Sequence, residues 1–480
     1  MAKADRVLRE LNEEAAWLLE RFGKESEVNE PPMPFDPQFG FDAVIGNPPY
    51  VRQELFSGHK PYLQQRYSVY HGVADLYTYF MEKGAALLKP GGLYGIIVAN
   101  KWMRANYGEP LRRWLKQQDI RELIDFGDLP VFSGATTYPC IVLYAKGKPG
   151  RNISVCEVKT LDFGDLDSYV RQHRRSLPQS SLEPDGWNLA SAEEQKLFKK
   201  LMAKGVPLAE YVDGKIYYGI KSGYNEAFVI DAETRKALIK ADKKSAEVIK
   251  PFLAGRDIKR YQQPKSAKYL IVLPKGWTNE NGGSPKNPWR WLKQAFPAVA
   301  AHLAPYMSRA EKRTDKGDHW WELRACDYYE AFGQPKIMWA EIALRGQFVY
   351  DEEGLYLDTT AFFTPAKDLA LLGIMNSKLF SFLFARVSSS IRGGYYRWKR
   401  VYMERMPIVH DQKQWAAITA QVSTLMQLKL GEAATTGLQA QQLAGRIAHV
   451  EERIDRLVYS LYGLTEEEVG VVEEMAQQIM

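Results

Sequence analysis

Four consecutive residues, Asn47-Pro48-Pro49-Tyr50, bring together an amide, two prolines and an aromatic ring. The prolines fix φ and remove two backbone donors, which leaves a rigid loop whose carbonyls are not committed to a ladder. The Asn47 amide oxygen and the neighbouring Pro48 carbonyl can then both accept from one amino group. The Tyr50 ring, two positions further on, can cover a planar heterocycle. This arrangement suits an exocyclic amine such as the N6 of adenine, whose lone pair is delocalised into its ring. Two acceptors on its hydrogens favour a pyramidal nitrogen that can point its lone pair at an electrophilic methyl. No covalent intermediate with the protein is needed, so positioning supplies much of the rate. A base in a duplex must leave the stack to reach such a pocket, and aromatic stacking offsets part of that cost. The competing reading is a plain tight turn, because Asn-Pro and Pro-Pro pairs are common turn formers.

The elements that must position this loop alternate along the chain. Phe41-Asp42-Ala43-Val44-Ile45-Gly46 has the pattern of a buried strand and ends where the loop begins. Residues 74–88 (ADLYTYFMEKGAALL) predict a helix, Lys89-Pro90-Gly91-Gly92 a turn and residues 93–98 a strand. Residues 108–118 predict a second helix, and residues 120–126 and 138–145 two further strands. Strands alternating with helices predict an α/β domain with a mainly parallel sheet. Residues 1–24 carry apolar residues at helical spacing, and residues 25–40 are Pro-rich and polar. Five segments result: an N-terminal helix and linker (1–40), a catalytic half-domain (41–150), a connecting segment (151–205), a region rich in Gly, Pro, Tyr and Trp (206–410), and a helical C-terminal region (411–480).

Composition allows a nucleic-acid partner without demanding one. The 480 residues are 45% hydrophobic and 25% charged, with a net charge of +6. Contact with a polyanion must therefore come from local patches. The three cysteines, Cys140, Cys156 and Cys326, form no CxxC pair, so neither a zinc site nor a disulfide framework is indicated. No apolar run approaches 18 residues and the N-terminus is charged, which argues against a membrane partner or signal peptide and for a cytoplasmic setting.

FDAVIGNPPYVRQELF resembles the catalytic motif of TaqI-like, gamma-class adenine-N6 DNA methyltransferases, as found in fused type IIG restriction-modification enzymes and related phage-defence methyltransferases. ADLYTYFMEKGAALLKPGGLYGIIVANKWMRANYGEPLRRWL and FGDLPVFSGATTYPCIVLYAK are similar to the following stretches of that family, so the resemblance spans residues 41–146. It implies a partial Rossmann-like sheet of a methyltransferase that uses S-adenosylmethionine. Asn47 and the Pro48 carbonyl would accept from adenine N6. Tyr50 would stack on the flipped base, and Phe132 would be its second aromatic wall. Pro49 and Asp75 would lie on the cofactor side. Phe132 also reads as an ordinary core aromatic, and Asp75 as a helix cap.

The family's cofactor site uses a Gly-rich turn ahead of the Asn-Pro-Pro-Tyr loop. Only 46 residues precede that loop here, and they contain no such turn. The expectation is a chain without its main S-adenosylmethionine motifs, completed by an N-terminal methyltransferase or nuclease polypeptide, with its first strand at an exposed sheet edge.

Residues 206–410 resemble the family's α+β target-recognition domain through YGIKSGYNEAF, FLAGRDIKRY, WWELR and LLGIMNS. The residues themselves also suit double-stranded DNA. Residues 386–405 hold Arg386, Arg392, Arg397, Lys399, Arg400 and Arg405 against the single acid Glu404, interleaved with Tyr395, Tyr396 and Trp398. Cations contact phosphates, and arginine reads guanine edges. Lys221, Arg256 and Arg324 are further candidates. Arg256 beside Asp257, and Arg324 near Glu322, also read as simple ion pairs.

Two other functions compete. One is a DNA-binding specificity subunit that is catalytically incomplete. The other is part of a type IIG restriction endonuclease whose nuclease lies outside this chain. The triplet Glu157-Val158-Lys159, with Asp128, is the one nuclease-like pattern here, and no metal site is expected.

Overall fold

The computed structural model describes residues 40–479 except Asp128, 133–137, Asp185, Asn188, 190–191, Ser389, 392–393 and 433–434. The amphipathic pattern of residues 1–24 lies outside the described residues, as does Arg392.

Six strands form the first sheet: β1 (Phe41–Gly46), β2 (Leu88–Ala99), β3 (Asp119–Asp125), β4 (Pro139–Ala145), β5 (Asn152–Glu157) and β6 (Arg175–Pro178). Their order is β1-β2-β4-β3-β5-β6. β1 and β2 run parallel, joined by a crossover containing the helix Tyr77–Leu87. That helix packs closely on the sheet at Gly84, where an added Cβ would come within 2.5 Å of the Tyr94 ring. Tyr94, Ile96 and Val98 are buried on the helix-covered face of β2. On the other face Phe41, Ile45 and Leu93 are exposed.

Three expectations change. The sheet is mixed, not mainly parallel: β1–β2 and β3–β5 are parallel, whereas β4 is antiparallel to both of its neighbours and β6 to β5. β4 starts at the end of the sheet where β3 finishes, with Asp125 opposite Cys140, so it returns antiparallel between β2 and β3. The turn expected at residues 89–92 is an irregularity within β2, marked by a register shift against β1. Residues 151–205 are more than a connection, because β5 and β6 extend the sheet.

Beyond residue 205 the architecture is α+β. β7 (Val206–Pro207) pairs with β19 (Pro407–Ile408), which brings the two ends of this stretch together. One sheet contains β9 (Val229–Asp231), β10 (Ile249–Leu253), β11 (Lys268–Ile271) and β15 (Tyr356–Leu357). A second contains β8 (Tyr217–Tyr218), β12 (Lys336–Ala340), β14 (Phe348–Asp351) and β16 (Ala361–Pro365). A third joins β13 (Ile342–Ala343), β17 (Ser390–Ile391) and β18 (Tyr395–Arg397).

The helices Leu369–Asn376 and Lys378–Val387 share one core with the C-terminal helices Gln412–Glu432, Gly437–Leu461 and Glu466–Ile479. At Gly373 a Cβ would meet Ile418 and Val422 methyls at 2.8 Å, so the close approach requires glycine there. Among the described residues no single helix is long and apolar enough to cross a membrane.

Candidate active site and DNA-facing surface

The Asn47–Tyr50 loop leaves β1 at the same end of the sheet as the loop that leaves β3 toward Phe132. Its backbone is tied down on its C-terminal side. The Val51 N–H donates to the Pro49 carbonyl at 3.0 Å, and the Leu76 N–H donates to the Val51 carbonyl at 3.1 Å. Pro48 is buried, whereas Asn47 and Pro49 are exposed. Among the described residues neither the Asn47 side chain nor the Pro48 carbonyl takes a hydrogen-bond partner. Two acceptors on adjacent residues are thus unspent by the fold, within three residues of the Tyr50 ring.

That ring is well fixed. The Tyr50 hydroxyl donates to the Ile97 carbonyl of β2 at 3.4 Å. Its ring centroid lies 6.2 Å from Phe132 at an interplanar angle of 59°, and 6.4 Å from Tyr77 at 57°. Tyr77 and Tyr107 share a hydroxyl–hydroxyl bond of 3.0 Å. Burial, with Cys140 nearby, pushes the Tyr50 phenol up to about 12, and burial does the same for Tyr107. These rings are neutral at physiological pH. The structure therefore brings Asn47, Pro48, Tyr50 and Phe132 to one place.

Asp75 lies half-buried just ahead of the helix Tyr77–Leu87, and no side-chain cap bond forms at that helix start. Desolvation raises its carboxyl above the usual range, against the opposing pull of Lys101. Pro49 and Asp75 are the cofactor-side candidates within the described residues.

Two residues that sequence reasoning missed support the Phe132 side. Buried Asp125, the last residue of β3, accepts from Asn100 Nδ2 at 2.8 Å and from the Gly127 N–H at 2.9 Å. Asn100 immediately follows β2, so this pair ties two strand ends to the start of the loop that carries Phe132. Burial raises the Asp125 carboxyl. The available signal was a polar residue directly after each apolar strand, a common placement for site residues in α/β sheets.

The DNA-facing candidates fall into three ion-paired groups. Lys221 Nζ and Arg324 Nη1 share Asp315, at 2.7 and 3.8 Å. Arg397 Nη1 and Lys399 Nζ share Glu341, at 2.9 and 3.6 Å. Arg256 lies 4.0 Å from Asp257. Tyr395 is exposed, whereas Tyr396 packs partly buried against the core. Arg324 does not pair with Glu322, whose buried carboxylate instead accepts backbone N–H groups of Gly276, Thr278 and Asp318. Arg386 also leaves the basic stretch: it lies over the Phe382 ring and pairs with Glu194 at 2.8 Å. Glu157, of the nuclease-like triplet, is held by Arg175 at 2.9 Å, and Asp128 lies outside the described residues. Among the described residues no group of three or more His, Cys, Asp or Glu could hold a metal.

Residues 5–132 match the Eco57I restriction-modification methylase family, and residues 250–408 match the TaqI-like C-terminal specificity domain. The Type II methyltransferase M.XhoI of Xanthomonas vasicola is 26% identical over 90% of this chain and 76% of its own length. M.PaeR7I of Pseudomonas aeruginosa is 25% identical over 89% of this chain and 71% of its length. The fold is shared with the Type IIL restriction-modification enzyme MmeI, solved in complex with DNA: TM-score 0.59, 15% identity, 91% of this chain and 57% of that one. The chain thus spans under two thirds of MmeI and about three quarters of M.XhoI. It is similar to Type II methyltransferases, with a match to the Eco57I restriction-modification methylase followed by a match to the TaqI-like C-terminal specificity domain.

Proposed function

We propose that this chain holds a flipped adenine for N6 methylation in double-stranded DNA. The carrying observation is the pair of unpartnered acceptors, the Asn47 amide and Pro48 carbonyl, beside the Tyr50 and Phe132 rings 6.2 Å apart. The acceptors would orient the N6 amine, Tyr50 would stack on the base, and Phe132 would contact the base from its edge. No charged group is required to activate the amine, because hydrogen bonding and orientation perform that task. In the same reading the five segments keep their separate roles, and residues 206–410 recognise the target sequence.

S-adenosylmethionine is the methyl donor that the matched methylase family implies, and it supplies the electrophilic methyl when bound. The described residues fit the acceptor side of that reaction. On the donor side they offer Pro49 and Asp75. We propose further that an N-terminal methylase segment or partner polypeptide supplies the rest of the donor side. Ile45 of β1 supports it, 91% exposed at the edge of the sheet as the described residues form it.

Incubation with duplex DNA and radiolabelled S-adenosylmethionine, with and without a homologue's N-terminal methylase segment, tests this reading. The expected product is N6-methyladenine, formed by the completed protein and lost in Asn47→Ala. DNA binding without methyl transfer in either mixture would instead favour a catalytically incomplete specificity subunit.

A further inference from the structure

β4 separates β2 from β3 in the first sheet, yet one residue joins the ends of all three strands. Asn100 directly follows β2. Its backbone N–H donates to the carbonyl of Tyr138, the residue ahead of β4, at 2.6 Å. Its side-chain amide donates to Asp125, the last residue of β3, at 2.8 Å and to the Gly127 carbonyl at 3.3 Å. The Gly127 N–H donates to the same Asp125 oxygen at 2.9 Å. Phe132 lies in the chain between the two points so held, Gly127 and Tyr138. The path from Gly127 to Phe132 is itself tied: the Leu129 N–H donates to the Phe126 carbonyl at 3.0 Å, and the Val131 N–H to the Leu129 carbonyl at 2.9 Å. Only the bond to Tyr138 continues a ladder, the β2–β4 pairing that ends at Ala99 and Pro139. The side-chain bonds belong to no ladder. They need a group that donates twice without adding a charge, which an amide does and a carboxylate or an alkyl chain does not.

We infer that Asn100 is a positioning residue for the adenine pocket, holding both flanks of Phe132 and so setting the reach of that ring toward Tyr50; the inference rests on the flipped-adenine reading above. The two rings lie 6.2 Å apart at 59°. Tyr50 is fixed to β2 through its bond to the Ile97 carbonyl. Asn100 fixes the flanks of Phe132 to the end of the same strand, three residues further on. β2 is thus the common frame of both rings, and their spacing is set by one short stretch of backbone. A reacting group must be held closely, since a misplacement of about 1 Å from a distant change can cost on the order of 100-fold in rate. Asn100 touches neither the base nor the donor in this account. It acts through Phe132.

A double-mutant cycle between Asn100→Ala and Phe132→Ala tests the assignment in the protein completed as above. Base capture is read from 2-aminopurine fluorescence at the target position, and kcat and KM from methyl transfer to the adenine duplex. Asn100→Ala should lower capture and kcat/KM about tenfold in otherwise wild-type protein, and by no more than about twofold where Phe132 is already alanine. Asp125→Ala should lose capture likewise, and Asp125→Asn, which keeps an oxygen for both donors, should restore most of it. Equal losses in the two backgrounds would make Asn100 a support of the fold at large and overturn the inference. Full capture by a normally folded Asn100→Ala overturns it as well. Where Asn100→Ala does not fold, Asn100→Ser takes its place in the same cycle. Neither capture nor methyl transfer by wild type overturns the flipped-adenine reading itself, which separates the two failures.

Discussion

The loop at Asn47–Tyr50 and the cations beyond residue 205 make opposite use of polar groups. In the loop the fold leaves acceptors without partners: among the described residues the Asn47 amide and the Pro48 carbonyl bond to nothing. In the recognition region the candidate cations Lys221, Arg324, Arg397 and Lys399 each already face a carboxylate, either Asp315 or Glu341. Unpartnered neutral acceptors are ready for a neutral amine. Paired cations hold their charge until a polyanion competes for it. In the proposed reading the catalytic pocket is preorganised, whereas the recognition surface would open by exchange of ion pairs.

The comparison can be broken first at the loop. Asn47→Ala should lower kcat about 10²- to 10³-fold with DNA affinity kept, as measured by methyl-transfer kinetics of the completed protein. A drop below tenfold would reduce the loop to a turn. Tyr50→Ala should weaken capture of an extruded base about 5- to 150-fold, read from the fluorescence of 2-aminopurine at the target position, with a smaller loss for Phe132→Ala.

The recognition side breaks at its support. Gly373→Ala forces a Cβ against Ile418 and Val422 and should cost about 1–3 kcal/mol in denaturant unfolding. Asp315→Asn should strengthen non-specific DNA binding by releasing Lys221 and Arg324. Lys221→Ala should lower the slope of log K against log salt by about 1.

The smallest expected effect concerns pH. Desolvation raises the Asp455 carboxyl to about 6, and the groups facing it are Arg260, Lys378 and Glu473. Its folded value exceeds its unfolded one, so its contribution to stability is full below about 4 and is lost as pH rises through about 6. Asp455→Asn should flatten melting temperature across that window.

Much of the first sheet was legible in the sequence, because apolar runs such as Tyr138–Ala145 give strands whichever way they run. Direction was not legible. Nothing local in Pro139–Ala145 says that it inserts antiparallel between β2 and β3. β5 was hidden because Asn152–Glu157 is short and follows a Gly-Pro-rich turn. The acceptor loop was legible because its chemistry lies in four adjacent residues. Asp125 and Asn100 were not, since their partnership spans 25 residues. Arg397 was visible as one charge in a basic run, but its partner Glu341 lies 56 residues away. Counting charges along the chain overstated the free cations for the same reason: Arg386 is spent on Glu194, 192 residues distant.

The most direct test of the central claim is nucleoside analysis of genomic DNA from a methylase-free bacterial host. The host would express the protein with a homologue's N-terminal methylase segment, as wild type and as Asn47→Ala. The account predicts N6-methyladenine with wild type and its loss with Asn47→Ala. Methylated cytosine in its place, or equal N6-methyladenine from both proteins, would contradict it.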